Sequence, residues 1–128
     1  MKILLVDDEI NYQFYLAELA RGRGCHIISA GDPIQAQQVA IRERPDLIIL
    51  DINMPAGGGK SAYKRLKQST LTRNIPIIIV SASDKEEFSD LIEEFRIDSK
   101  NVFQKPIDEE LFMKRLEELC PKKTAEPQ

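Results

Sequence analysis

Nine consecutive residues, Leu47-Ile48-Ile49-Leu50-Asp51-Ile52-Asn53-Met54-Pro55, restrict this chain more than any other stretch. Four large aliphatic residues in a row neither alternate across a half-exposed strand nor line one face of a helix. Bounded by turn signals, such a run reads as a strand covered on both faces, the pattern of parallel sheets. Asp51 then stands at the carboxyl end of a central strand, where open α/β sheets place their ligand crevice. An aspartate at such a position can also do no more than begin a turn. The rest of the chain decides between the two.

A second apolar run, Lys2 to Val6, ends in Asp7-Asp8-Glu9 and leads into a helix predicted over 10–23, closed by Gly24. Leu16, Leu19 and Ala20 form its inward stripe. A short strand, His26 to Ser29, precedes a helix opened by Asp32 as cap and Pro33 in the first turn, with Ala36, Val39 and Ala40 inward. After the Asp51 strand come a glycine loop and a helix over 60–68, then the strand Pro76 to Val80, which ends in Ser81. Asp84 and Glu87 make a capping box for a helix carrying Phe88, Leu91, Ile92 and Phe95. The fifth strand, Asn101 to Gln104, ends in Lys105-Pro106, and Asp108 caps a last helix with Phe112, Leu116 and Leu119 inward. Strand and helix alternate five times with short connections. Right-handed crossovers then require one doubly wound (βα)5 domain on a five-stranded parallel sheet, spanning residues 1–120, with 121–128 as a loose tail.

Composition narrows the class of function. The 128 residues suffice for one domain, and a net charge of −3 gives no electrostatic reason to expect nucleic acid. No stretch reaches membrane-spanning length, and Met1-Lys2 leads straight into a strand instead of a signal peptide. Cys25 and Cys120 lack metal-ligand spacing and are expected as reduced thiols of a cytoplasmic protein. His26, the single histidine, reads as a strand residue between apolar neighbours.

A parallel sheet sends the end of every strand to one edge. Asp7, Asp8, Asp51, Ser81 and Lys105 therefore converge, although core packing asks nothing of these positions. Three carboxylates together repel one another and call for a cation. With only oxygen ligands on offer, Mg²⁺ suits the site, since it uses one or two carboxylates, waters and substrate phosphate oxygens. Ca²⁺ would ask for more protein oxygens than the crevice supplies. Lys105 suits an incoming phosphoryl group, and Ser81 can donate to another of its oxygens. The set describes phosphoryl transfer onto a carboxylate.

Val6-Asp7-Asp8-Glu9, Leu50-Asp51-Ile52-Asn53-Met54-Pro55, Val80-Ser81-Ala82 and Lys105-Pro106 together resemble the motifs of the two-component response-regulator receiver domain, over about residues 2 to 120. The resemblance implies a flavodoxin-like sheet of order 2-1-3-4-5. It implies Asp51 as phosphoacceptor, and Asp8 and Asp51 as direct Mg²⁺ ligands, with Asp7 acting through water and the Asn53 carbonyl as a further ligand. Ser81 is similar to the switch hydroxyl and Lys105 to the phosphate-pairing lysine. The implied donor is a sensor histidine kinase or a histidine phosphotransfer protein, docking beside the first helix. Tyr12 and Tyr15, with Glu9 at the rim, are the expected anchor, and Phe14 the expected site of a second contact such as a homodimer. The family often carries an aromatic switch residue three positions before the lysine. Val102 stands there, and Phe103 should face the other side of the strand.

Gly57-Gly58-Gly59-Lys60-Ser61 imitates the end of a nucleotide-binding P-loop, but the full pattern needs glycine where Met54 stands. The expected function is a phosphorylatable switch that catalyses only its own phosphorylation and dephosphorylation. Two rivals remain: a receiver-like adaptor that works without phosphate, and a Mg²⁺-dependent phosphatase. The latter's Asp-x-Asp motif is broken by Asn53. No length is left after Cys120 for an output domain, so a single-domain regulator or an excised fragment is expected.

Overall fold

The structure, a computed structural model, describes residues 1–55, 58–83 and 85–119. Its elements run β1 (Lys2–Val6), α1 (Ile10–Arg21), β2 (His26–Ala30), α2 (Pro33–Glu43), β3 (Leu47–Asp51), α3 (Gly58–Gln68), β4 (Ile77–Ser81), α4 (Ser89–Phe95), β5 (Val102–Gln104) and α5 (Glu109–Leu119). All strand pairs are parallel, in the order β2-β1-β3-β4-β5. β3 and β4 are buried along their whole length, as their unbroken apolar runs require, whereas the edge strand β2 exposes His26 and Ser29.

Alternate residues of each strand feed two cores. Ile3, Leu5, Ile49 and Val80 meet Leu16 and Ala20 of α1 and Phe112 and Leu116 of α5. Leu4, Val6, Ile48, Leu50 and Ile79 meet the inward faces of α2, α3 and α4 on the opposite side. Each fully buried aliphatic side chain is worth about 1.5–3 kcal/mol of transfer free energy, so the two cores hold the sheet edge rigidly in place.

The helix caps follow their sequence signals with two exceptions. Asp32 accepts a hydrogen bond from the Gln35 amide at 2.8 Å, and Asp108 one from Leu111 at 3.1 Å. α1, however, stops at Arg21, capped by Gly22, two residues short of expectation. The fourth helix is also divided: a 3₁₀ turn over Lys85–Phe88 precedes α4, and Asp84, the expected cap, lies outside the described residues. The break falls at Phe88, whose backbone (φ −130°, ψ 30°) leaves the helical region and whose side chain is buried in the core that β4, α2 and α3 also feed. β5 begins at Val102, because Asn101 belongs to a 3₁₀ turn over Ser99–Asn101.

At the amino end of α3, Gly59 lies against the backbone of Ile52, where any Cβ would overlap main-chain atoms. Gly59 of the P-loop imitation thus serves packing: it lets α3 start directly against the turn that follows Asp51. Gly57 lies outside the described residues, as do Cys120 and residues 121–128. Cys25 is a buried free thiol.

Candidate functional site

Register alone brings the polar cluster together. Val6 pairs with Leu50, and Asp51 pairs with Val80, so the residues that end β1, β3 and β4 lie at one level. The Lys105 amide donates to the Ser81 carbonyl at 2.7 Å, which ties the end of β5 to the same level. Asp7, Asp8 and Asp51 each offer a carboxylate oxygen, all within 4.8 Å of one another. Asp7 and Asp51 are buried, and Asp8 faces solvent.

Each buried aspartate has one oxygen engaged and one open. Asp7 Oδ1 accepts from the Glu9 amide at 2.8 Å, and Asp51 Oδ1 from the Asn53 amide at 3.0 Å. The open oxygens face Lys105, whose Nζ lies 3.8 Å from Asp7 Oδ2 and 4.0 Å from Asp51 Oδ2, beyond direct hydrogen bonding. Asp7 Oδ2 is enclosed and accepts no hydrogen bond. Burial, joined by the charge of Asp51, pushes the Asp7 carboxyl up to about 6, with the Glu9 amide and Lys105 opposing. A buried, unsatisfied carboxylate oxygen beside two more carboxylates is what a hard divalent cation would relieve, so the residues present fit Mg²⁺.

On the other flank the hydroxyl of Ser81 is already occupied. Its Oγ lies 3.0 Å from Asn53 Oδ1, 2.8 Å from the Ser83 carbonyl and 3.1 Å from Ser83 Oγ, and its single proton serves one of these loop-side acceptors at a time. Asn53 Oδ1 also accepts from the Ala82 amide, and Asn53 Nδ2 donates to Ser83 Oγ at 2.9 Å. Asn53 thus clasps the loop after β4 and holds Ser81 turned toward that loop. The residues' types gave no sign of this clasp, because it joins side chains 28 and 30 positions apart.

Tyr12 and Tyr15 are half-buried, and both have partners within the protein. Lys105 Nζ sits 4.1 Å from the centre of the Tyr12 ring, which meets the Tyr15 ring edge-on at 5.5 Å. Tyr15 donates to Glu109 Oε2 at 2.6 Å, and that bond holds its phenol up to about 12. The exposed apolar residues of α1 are instead Ile10 (77% exposed) and Phe14 (64%), beside exposed Glu9. On β5, Val102 joins the core under α2–α4. Phe103 faces the other way, 5.4 Å from the Phe112 ring, as strand alternation required. Lys60, of the P-loop imitation, pairs with Asp90 of α4 at 3.4 Å.

A family model described as "Response regulator receiver domain" matches residues 3–117. Protein PilH of Pseudomonas aeruginosa is 30% identical over 115 residues, which cover 90% of this chain and 93% of that protein. Sporulation initiation phosphotransferase F of Bacillus subtilis is 33% identical over 108 residues, covering 84% of this chain and 83% of its own. Among solved structures, the receiver domain of a sensor histidine kinase from Pseudomonas aeruginosa, with a magnesium ion in its active-site cleft, superposes with a TM-score of 0.77. It is 26% identical and covers 92% of this chain and 95% of that domain. The chemotaxis protein CheY4 of Vibrio cholerae shares the fold, with a TM-score of 0.80 at 24% identity over 92% of this chain and 97% of that one.

Proposed function

This chain belongs to the response regulator receiver domain family, and from that membership we propose that Asp51 is the residue that takes the phosphoryl group. The protein is a phosphoacceptor response regulator of two-component signalling, a family loaded by histidine kinases or phosphotransfer proteins. The observation that carries the assignment is the state of the Asp51 carboxylate. One oxygen is fixed by the Asn53 amide, and the other is open, at the crevice, facing an amine at 4.0 Å. That oxygen attacks phosphorus as the phosphohistidine N–P bond breaks, and the electron pair returns to the imidazole nitrogen.

Asp7, Asp8, Asp51 and the Asn53 carbonyl would hold Mg²⁺, which neutralises charge on the transferring phosphoryl group and its acceptor. Lys105 then pairs with a phosphoryl oxygen, and Ser81 leaves its loop acceptors to donate to another. The domain catalyses only its own phosphorylation and hydrolysis, and works in the cytoplasm. From the sequence, the donor's anchor is expected at Tyr12 and Tyr15 with Glu9 at the rim, and Phe14 at a separate homodimer contact. Since both tyrosines have partners within the protein, we place the donor on the first turns of α1, where Glu9, Ile10 and Phe14 are exposed.

Incubation with acetyl phosphate and Mg²⁺, followed by intact-mass measurement, tests the assignment. One phosphoryl adduct is expected on the wild type, and none on Asp51→Asn or Asp8→Ala. No adduct on the wild type would make the protein an adaptor. Repeated turnover of the donor beyond slow hydrolysis of the adduct would make it a phosphatase.

A further inference from the structure

β5 brings no aromatic ring to the crevice. Val102 is packed in the core under α2–α4, and the Phe103 ring lies against Phe112 on the far side. The amine of Lys105 nevertheless has an aromatic neighbour. Its Nζ stands 4.1 Å above the Tyr12 ring, well inside the range in which a cation is attracted to a ring face, and its side chain is only 14% exposed. The amine is thus shared between the ring and two carboxylate oxygens, those of Asp7 and Asp51 at 3.8 and 4.0 Å.

The Tyr12 hydroxyl is enclosed near the Ile107 amide and makes no hydrogen bond of good geometry, so no strong hydrogen bond fixes the orientation of its ring. Beyond it the contacts continue in one direction: edge-on to Tyr15 at 5.5 Å, then through the Tyr15 hydroxyl to Glu109 in the first turn of α5.

We propose that Tyr12 is the positioning residue for Lys105, and that the row Lys105–Tyr12–Tyr15–Glu109 carries the phosphorylation state of Asp51 to the seam between α1 and α5. A phosphoryl group on Asp51 places concentrated negative charge nearer to Nζ than either carboxylate does now. The amine moves toward it and off the ring. Tyr12, released from the cation and without a strong hydrogen bond at its hydroxyl, reorients, and its edge contact with Tyr15 changes. This inference rests on Asp51 being the phosphoacceptor.

The chain has three tyrosines and no tryptophan, so 3-fluorotyrosine labelling gives three ¹⁹F resonances that single Tyr→Phe substitutions assign. The probe is beryllofluoride with Mg²⁺, which forms a phosphoryl-like adduct on a carboxylate and reports its own uptake by ¹⁹F. On saturation the Tyr12 and Tyr15 resonances are expected to shift while Tyr63, on the opposite face, stays. In Tyr12→Leu the Tyr15 response is lost although beryllofluoride is still bound. In Tyr12→Phe, which keeps the ring, the Tyr15 response is retained. A Tyr15 response that survives Tyr12→Leu, or vanishes equally in Tyr12→Phe, overturns the proposal. Tyr12→Met, with similar bulk and no ring, takes the place of the leucine variant should that one fail to fold, with the same two outcomes. Absence of any bound beryllofluoride signal beyond that of Asp51→Asn overturns the phosphoacceptor assignment itself, and this inference with it.

Discussion

Asp7 keeps a carboxylate that burial has made reluctant to ionise, and the consequence is a pH dependence of definite sign. Its folded-state value is about 6, against 3.8 for the ordinary group. A carboxyl raised on folding binds protons more tightly in the native state. Its contribution to stability is therefore complete below about pH 4 and is lost as pH rises through about 6. In metal-free buffer, Asp7→Asn should melt at nearly the wild-type temperature at pH 4. At pH 7 it should melt about 2–8 °C above the wild type, a gap opened by removing the buried charge. Thermal melts in a chelator across that range check this; a constant gap between the two proteins would mean that Asp7 titrates normally. The same residue shows why an acidic cluster is costly to keep. Its Oδ2 has no hydrogen bond, and Lys105 at 3.8 Å is too far to donate one.

At the level of elements, the site depends on how two helices begin. α3 starts against the turn that carries Asp51, Ile52 and Asn53, and it does so through a glycine whose missing Cβ leaves room for the Ile52 backbone. Gly59→Ala forces main chain against methyl, and the neighbour cannot yield as a flexible side chain would. A loss of about 1–3 kcal/mol is expected in urea denaturation, together with slower phosphorylation by acetyl phosphate because the Asn53 amide shifts away from Asp51 Oδ1. Phosphorylation at the wild-type rate would show that the turn tolerates the displacement. α1 begins directly after the acidic pair and offers Ile10 and Phe14 to solvent, since Tyr12 and Tyr15 are taken up by Lys105 and Glu109. Phe14→Ala touches nothing at the crevice. It should slow phosphotransfer from a phosphohistidine donor protein about tenfold and leave the reaction with acetyl phosphate unchanged. Equal slowing with both donors would place Phe14 in the structure of the site, outside any docking surface.

Over the whole molecule, a cation bound by Asp7, Asp8 and Asp51 would be linked to folding, because the parallel sheet is what brings the three carboxylates together. Mg²⁺ at ten times its dissociation constant should stabilise the fold by about 1.4 kcal/mol. Asp8→Ala, which removes the solvent-facing carboxylate, should show little of that gain in the same melts. Equal stabilisation of both proteins would assign the cation to another place. Among the described residues no helix is long and apolar enough to cross a membrane.

The order of the elements, the two-sided burial of β3 and β4 and the convergence of Asp7, Asp8, Asp51, Ser81 and Lys105 all follow from the sequence. An apolar run that leaves no polar face can only be a covered strand, and parallel strands end at one edge whatever the details of packing. The tertiary structure alone decided how those side chains are engaged. Ser81 is turned toward Asn53 and Ser83, Tyr12 lies under Lys105, the fourth helix breaks at Phe88, and Gly59 makes room for a backbone 7 positions before it. Periodicity reports which face of an element is buried, and so finds the strands and the edge at which they end. Contacts between side chains tens of residues apart depend on distances and rotamers that periodicity does not contain, because they are settled only when both cores have closed around the sheet.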